Sequence, residues 1–307
     1  MTSRTAQRKK GASPNGQKAK QKQVRKRKNA RRGRMSPGVI AIAAVVGVVV
    51  VMVGFGFVNR DSTPDAIGAT ATDQVVADVT SVPASALDAV GAGGVETVPN
   101  ALPASTAAYT ADGKPAILYV GAEYCPYCAA ERWGLVVALS RFGSFSGLGL
   151  TSSGAEDIYP NTATLSFHGS SFHSDVISFA GVETATSELN AAGTAYEPLD
   201  ALTPEQQQLF QTFDAPPYTS SAGSIPFLLI GDRYVLTGAS ILPDVLQGKS
   251  WEEIASALHD PNDPIAQEVL ASANVFTAAI CELTGGEPAA VCTAPGVQQG
   301  ADALTSG

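Results

Sequence analysis

The feature that most constrains the fold is a cysteine pair, Cys125-Pro126-Tyr127-Cys128, set between two apolar segments. Before it, Pro115-Ala116-Ile117-Leu118-Tyr119-Val120-Gly121 reads as a buried strand entered from the Asp112-Gly113 turn. After it, the stretch from Cys128 to Phe142 carries Trp133, Leu135, Val136, Val137, Ala138 and Leu139 and reads as a helix. A cysteine at such a junction meets unpaired N–H groups and the positive end of the helix dipole, which favour the thiolate. The thiolate is the species that attacks a disulfide. A second cysteine one turn later can resolve the mixed disulfide that forms. Pro126 suits the first turn, where its missing N–H would have had no helical partner. Cys125 is therefore the expected nucleophile and Cys128 the expected resolving thiol.

Charge divides the chain sharply. Residues 1–36 hold 14 of the 20 basic residues and no acidic one; the remaining 6 basic and all 28 acidic residues follow. At the reversal lies Gly38 to Val58, 21 residues without a charge. As a helix this run is about 31 Å long, enough to cross a hydrocarbon core. The basic region and the apolar run are both too long for a secretory signal, and no small-x-small cleavage site follows at once. An uncleaved anchor is expected, with the basic arm in the cytoplasm and the rest of the chain outside. The arm faces anionic lipid rather than nucleic acid, because no aromatic side chain interleaves with its charges to stack on bases.

The expected organisation is a disordered arm over 1–36, a transmembrane helix over 38–58 and an Ala/Thr/Pro-rich extracytoplasmic linker over 59–108. A compact domain over 109–292 and a disordered Gly/Ala/Gln-rich tail over 293–307 complete it. Within the linker, Pro83 to Val90 can form a short helical turn ending at Gly91. Gly143 to Gly154 reads as loop, and Thr162–Phe167 and Val176–Phe179 as strands. Thr203-Pro204-Glu205 opens a helix to about Phe213, and Ser250-Trp251-Glu252-Glu253 is a capping box opening another to about His259. Between them, Phe227–Ile230 and Arg233–Thr237 form a hairpin, followed by a short helix near Leu242–Gln247; Pro264 to Leu283 is the last helix. Strand, dithiol, helix, strands, helix, X-Pro, hairpin, helix is the order of an α/β, thioredoxin-like domain with a helical insertion. In such domains a cis-proline loop faces the dithiol and pairs with the substrate chain, which singles out Ile225 and Pro226.

Other readings of the dithiol are weaker. A structural zinc site needs four ligands, and Cys281 and Cys292 lie far along the chain with no second C-x-x-C. Copper could be held by the two thiolates and a histidine, but His168 and His173 read as solvated loop residues, and no metal or cofactor is expected. Outside the membrane, Cys281 and Cys292 can form a structural disulfide; the alternative is a second redox pair that exchanges with the first, which the lack of C-x-x-C spacing disfavours. Among the charged neighbours, Glu123 is the candidate for proton handling, while Glu131 and Arg132 read with it as a solvated helix face and rim.

The segment Gly121-Ala122-Glu123-Tyr124-Cys125-Pro126-Tyr127-Cys128-Ala129-Ala130-Glu131-Arg132-Trp133 is more specific than any C-x-x-C. With Ala138-Leu139-Ser140-Arg141-Phe142-Gly143, it resembles a thioredoxin-like family of membrane-anchored proteins, domain-of-unknown-function family 929. The resemblance extends from about Pro83 to Cys292, including Tyr159-Pro160-Asn161-Thr162, and implies a thioredoxin-like fold in an extracytoplasmic setting. The tetrapeptide CPYC is also similar to the glutaredoxin signature. Thioredoxins carry a buried acid about six residues before the first cysteine, where this chain has Tyr119.

These observations lead to the expectation of a membrane-tethered oxidoreductase acting on cysteine-containing exported proteins, with a membrane redox partner to recycle it. The alternatives are a non-catalytic thioredoxin-like binding module with a structural disulfide, and a copper-handling protein.

Overall fold

The computed structural model describes residues 71–220 and 222–306. The basic arm, the apolar run 38–58 and the first part of the linker lie outside the described residues.

The chain opens with helices α1 (Asp73–Thr80) and α2 (Ala84–Val90), then short strands β1 (Asn100–Ala101) and β2 (Thr110–Ala111). Strand β3 (Lys114–Gly121) leads into helix α3 (Pro126–Ser140). Strands β4 (Ser144–Ser146), β5 (Gly149–Ser152), β6 (Ala163–Ser166), β7 (Ser171–His173), β8 (Ser178–Glu183), β9 (Ala185–Leu189) and β10 (Tyr196–Pro198) follow. Helix α4 (Pro204–Phe213) precedes the hairpin of β11 (Phe227–Ile230) and β12 (Tyr234–Thr237). A 3-10 turn, Pro243–Leu246, then leads to α5 (Trp251–Ala257), α6 (Pro264–Leu283), α7 (Ala289–Cys292) and α8 (Pro295–Ser306).

The main sheet is centred on β3. Strand β11 pairs antiparallel on one side, with Leu118 opposite Leu229, and β8 pairs parallel on the other, with Leu118 opposite Ala180. Strand β12 continues outward from β11 to β1, and β2 pairs with the start of β3. Both faces of β3 are covered, which is why it reads as a continuous apolar run rather than an alternation. Ile117, Tyr119, Leu228, Ile230 and Leu236 face the larger core with Trp133 and Phe276. Ala116, Leu118, Val120, Phe227, Leu229 and Val235 face the smaller core, which Phe213 of α4 closes with Leu209 and Phe210.

Helix α3 is buried from Cys128 through Leu139, so it is apolar on nearly every side. It packs against α6 and against the β5–β6 hairpin, where the Trp133 indole N–H donates to the Ala163 carbonyl at 3.1 Å. Helix α6 alone, among the described residues, is long and apolar enough to cross a membrane. Its apolar window is 83% buried within the fold, so core packing accounts for its hydrophobicity.

Several expectations are corrected. Residues 71–108 are not simply a tether: Val75 and Val79, one turn apart on α1, are fully buried, and α2 packs on α6 and α8. The tail is not frayed: residues 295–306 are helical, with Val297 and Leu304 buried. Its glycines allow close packing, since a Cβ at Gly296 would meet the Leu87 carbonyl oxygen at 2.6 Å. The segment expected to be loop over 143–154 forms β4 and β5, paired with β7 and β6. The expected helical insertion between α3 and β11 is built mainly of strands, with α4 its principal helix.

Candidate functional site

Cys125 is the N-cap of α3. Its backbone is extended and its sulfur accepts a hydrogen bond from the Cys128 N–H at 3.3 Å. Both cysteines are free thiols; Cys125 is 6% exposed and Cys128 fully buried. The Cys125 sulfur also lies 3.9 Å from the carbonyl oxygen of Ile225, at the entrance to β11, and the Ile225–Pro226 bond is cis. The structure thus brings the dithiol and the X-Pro pair together across 100 residues of chain.

The two sulfurs are electrostatically unequal. A hydrogen bond from the Cys128 thiol, aided by backbone N–H groups and the Arg132 guanidinium, lowers the Cys125 pKa against the opposing effect of burial. Burial and the neighbouring Cys125 sulfur hold the Cys128 thiol well above the usual range, with Arg132 acting the other way. Of the two, Cys125 is the sulfur more prone to ionise.

The charged neighbours are not a solvated rim, which corrects the reading of Glu123, Glu131 and Arg132. All three are buried. Arg132 makes a two-pronged ion pair with Glu183 of β8, at 2.8 and 2.6 Å, and donates to the Ala122 carbonyl at 2.8 Å. Its guanidinium sits 5.9 Å from the ring centroid of Tyr119. Tyr119, in the place of the thioredoxin acid, is fully buried, and burial raises its pKa well above that of an ordinary phenol. The Glu123 carboxylate accepts a 2.6 Å hydrogen bond from the Ser166 hydroxyl. Glu131 accepts bonds from the Ser240 N–H (2.9 Å) and hydroxyl (2.8 Å), and burial pushes its pKa up to about 7.

Sequence reasoning missed the aromatic surround. Tyr124, just before Cys125, stacks on Tyr196 of β10 with centroids 4.1 Å apart and planes 2° from parallel. Tyr127, inside the CPYC turn, meets Tyr159 edge-on at 6.0 Å. The loop bearing Tyr159 is tied to the site by the Gly154 N–H, which donates to the Tyr124 carbonyl at 2.8 Å. Tyr159 belongs to the Tyr159-Pro160-Asn161-Thr162 segment included in the family resemblance; nothing in the sequence marks Tyr196.

The remaining candidates lie elsewhere. Cys281, near the end of α6, is disulfide-bonded to Cys292 with a Cα–Cα distance of 5.6 Å. His168 pairs with Asp200 at 2.9 Å, and His173 is exposed on β7.

Residues 100–282 match a family model described as Domain of unknown function (DUF929). No curated protein and no solved structure matches the chain.

Proposed function

The chain belongs to the DUF929 family, and we propose that it is a thioredoxin-like thiol–disulfide oxidoreductase acting on cysteine-containing exported proteins. One observation carries the reading. A free dithiol at a helix N-terminus has a thiol with lowered pKa, Cys125, beside one with raised pKa, Cys128, and the first faces the Ile225 carbonyl. The order strand, dithiol helix, parallel strand, helix, cis-proline and antiparallel hairpin supports the thioredoxin-like assignment.

Starting from the free dithiol, the Cys125 thiolate attacks one sulfur of a substrate disulfide. The substrate S–S bond breaks, a Cys125–substrate disulfide forms, and the departing sulfur takes up a proton. Cys128 then loses its proton and attacks the Cys125 sulfur, releasing the second substrate thiol and leaving the CPYC pair oxidised. Two electrons pass from the dithiol to the substrate disulfide. The same steps run backwards oxidise a substrate dithiol, and a second thiol–disulfide partner at the membrane returns the pair to its starting state.

The charge reversal around the apolar run supports an anchored chain with its domain outside the cytoplasm. The Cys281–Cys292 disulfide suits that oxidising compartment. The decisive test is trapping. With Cys128→Ser, a disulfide substrate should accumulate as a mixed disulfide on Cys125. Absence of that adduct, together with a Cys125 thiol that titrates like free cysteine, would sink the enzyme reading and leave a non-catalytic binding module.

A further inference from the structure

The walls around the dithiol come from a part of the chain with a peculiar composition. Residues 142–232 contain no Lys or Arg, yet hold ten Asp or Glu. Of these, Glu183 is neutralised by Arg132 and Asp214 is buried, while Glu156, Glu188 and Glu197 are exposed. This segment supplies the Tyr159 loop, the Tyr196 strand and the Ile225–Pro226 entrance, and so meets the CPYC turn through three separate pieces.

The acids lie close to the tyrosines that flank the sulfur. Asp157 and Glu156 both bear electrostatically on Tyr196, and Asp157 also on Tyr124. They sit on the loop tied to the Tyr124 carbonyl. The next residue, Ile158, is 70% exposed, a large apolar side chain left in solvent beside Tyr159. The mouth therefore offers aromatic faces, one apolar foothold and unbalanced negative charge.

We infer that the preferred partner of Cys125 is a polypeptide segment with Lys or Arg around its cysteine, seated along the Tyr124–Tyr196 and Tyr127–Tyr159 pairs beside Glu156 and Asp157. Aromatic faces attract cations over the ring, and unpaired rim carboxylates steer a basic chain toward the site and repel an acidic one. The acids act on encounter, so their influence is screened by salt. The reaction itself is the exchange at Cys125 described above, on which this inference rests.

The test uses the full chain carrying Cys128→Ser, in vesicles of phosphatidylcholine, a zwitterionic lipid without net charge. Two peptides share one sequence except that Lys or Glu flanks the cysteine, and each is presented as its mixed disulfide with thiopyridine. Attack of Cys125 on the peptide sulfur forms the protein–peptide disulfide and releases thiopyridone, whose absorbance gives the rate. The Lys peptide should react about tenfold faster at low ionic strength. That preference should shrink in high salt and in the variant Glu156→Gln/Asp157→Asn. Tyr196→Ala should slow the Lys peptide, with Tyr196→Phe restoring the rate. Equal rates for the two peptides, or a faster Glu peptide, overturn the inference while leaving the oxidoreductase reading intact. Failure of both peptides to form an adduct overturns that reading, and the inference with it.

Discussion

At the start of α3 a cysteine meets N–H groups; at the end of α6 another meets carbonyl groups. The Cys125 sulfur accepts from the Cys128 N–H, and the polarity of the helix end favours negative charge on it. Cys281 lies in the last turn of α6, where its own carbonyl accepts from the Gly286 N–H at 2.8 Å. There the dipole disfavours a thiolate, and the sulfur is held in a disulfide with Cys292. Both pairs are largely buried and both are close enough to bridge, so neither burial nor proximity separates the free pair from the bonded one. Position along the helix does, reinforced at α3 by the buried guanidinium of Arg132.

The most drastic way to break the contrast is to remove Cys125, the proposed nucleophile. Cys125→Ser in the full chain should abolish disulfide exchange altogether, because Cys128 is fully buried and its thiol is held well above the usual pKa. An insulin-reduction assay, read as turbidity, checks this; residual turnover above background would mean that Cys128 can attack by itself.

Removing Arg132 should make Cys125 more like an ordinary cysteine. Arg132→Met leaves Glu183 buried and unpaired, at a cost of about 3–5 kcal/mol in denaturant unfolding. Pairing it with Glu183→Leu should recover most of that stability, since an apolar pair can replace a buried ion pair. It should not recover the acidity of Cys125, whose pKa Arg132 helps to lower. The pH midpoint of Cys125 alkylation should therefore rise in both variants. If the double variant restores the midpoint, Arg132 acts only through packing.

What could be read ahead of the structure follows the physics of local signals. The strand before CPYC, the helix after it, the Thr203 N-cap, the Ser250 capping box and the β11–β12 hairpin are local, and they lie close to where they were expected. Burial of Glu131 and Arg132 was not legible, because a charged residue on a helix reads as solvent-facing unless all sides are known to be covered. Here α6 covers one side and the β5–β6 hairpin another. The tail misled for a related reason: Gly296 and Gly300 look like disorder in composition, yet each is where a helix approaches another backbone closely. Tyr196 reaches Tyr124 only through the folding of β9 and β10, which nothing near the CPYC turn encodes.

A smaller effect separates the surroundings of the two pairs by pH. Burial raises the Glu131 pKa from 4.5 to about 7. The folded chain therefore holds a proton that the unfolded chain has released between those values. Stability from this group is full below the lower value and is lost as pH rises through the upper one, by roughly 3 kcal/mol in all. Glu131→Gln keeps an acceptor for Ser240 but cannot ionise, so its urea midpoint should lack this decline between about pH 5 and about pH 8. A variant that declines as steeply as the parent would place the titration on another group.

The other cysteine pair gives the mildest change and the sharpest contrast. Cys281→Ala/Cys292→Ala opens a loop closed across a separation of 11 residues, between the end of α6 and α7. Loop-closure entropy for so short a span sets the loss at about 3 kcal/mol or less. The α6 packing against α3 and α8 is left in place, so the fold should survive. Disulfide exchange should continue at the parental rate, because neither sulfur of this pair touches the α3 N-terminus. A denaturant midpoint shifted down with unchanged turnover is the expected pair of readings. A drop in turnover without a drop in stability would instead make Cys281 and Cys292 a second redox pair that exchanges with the first.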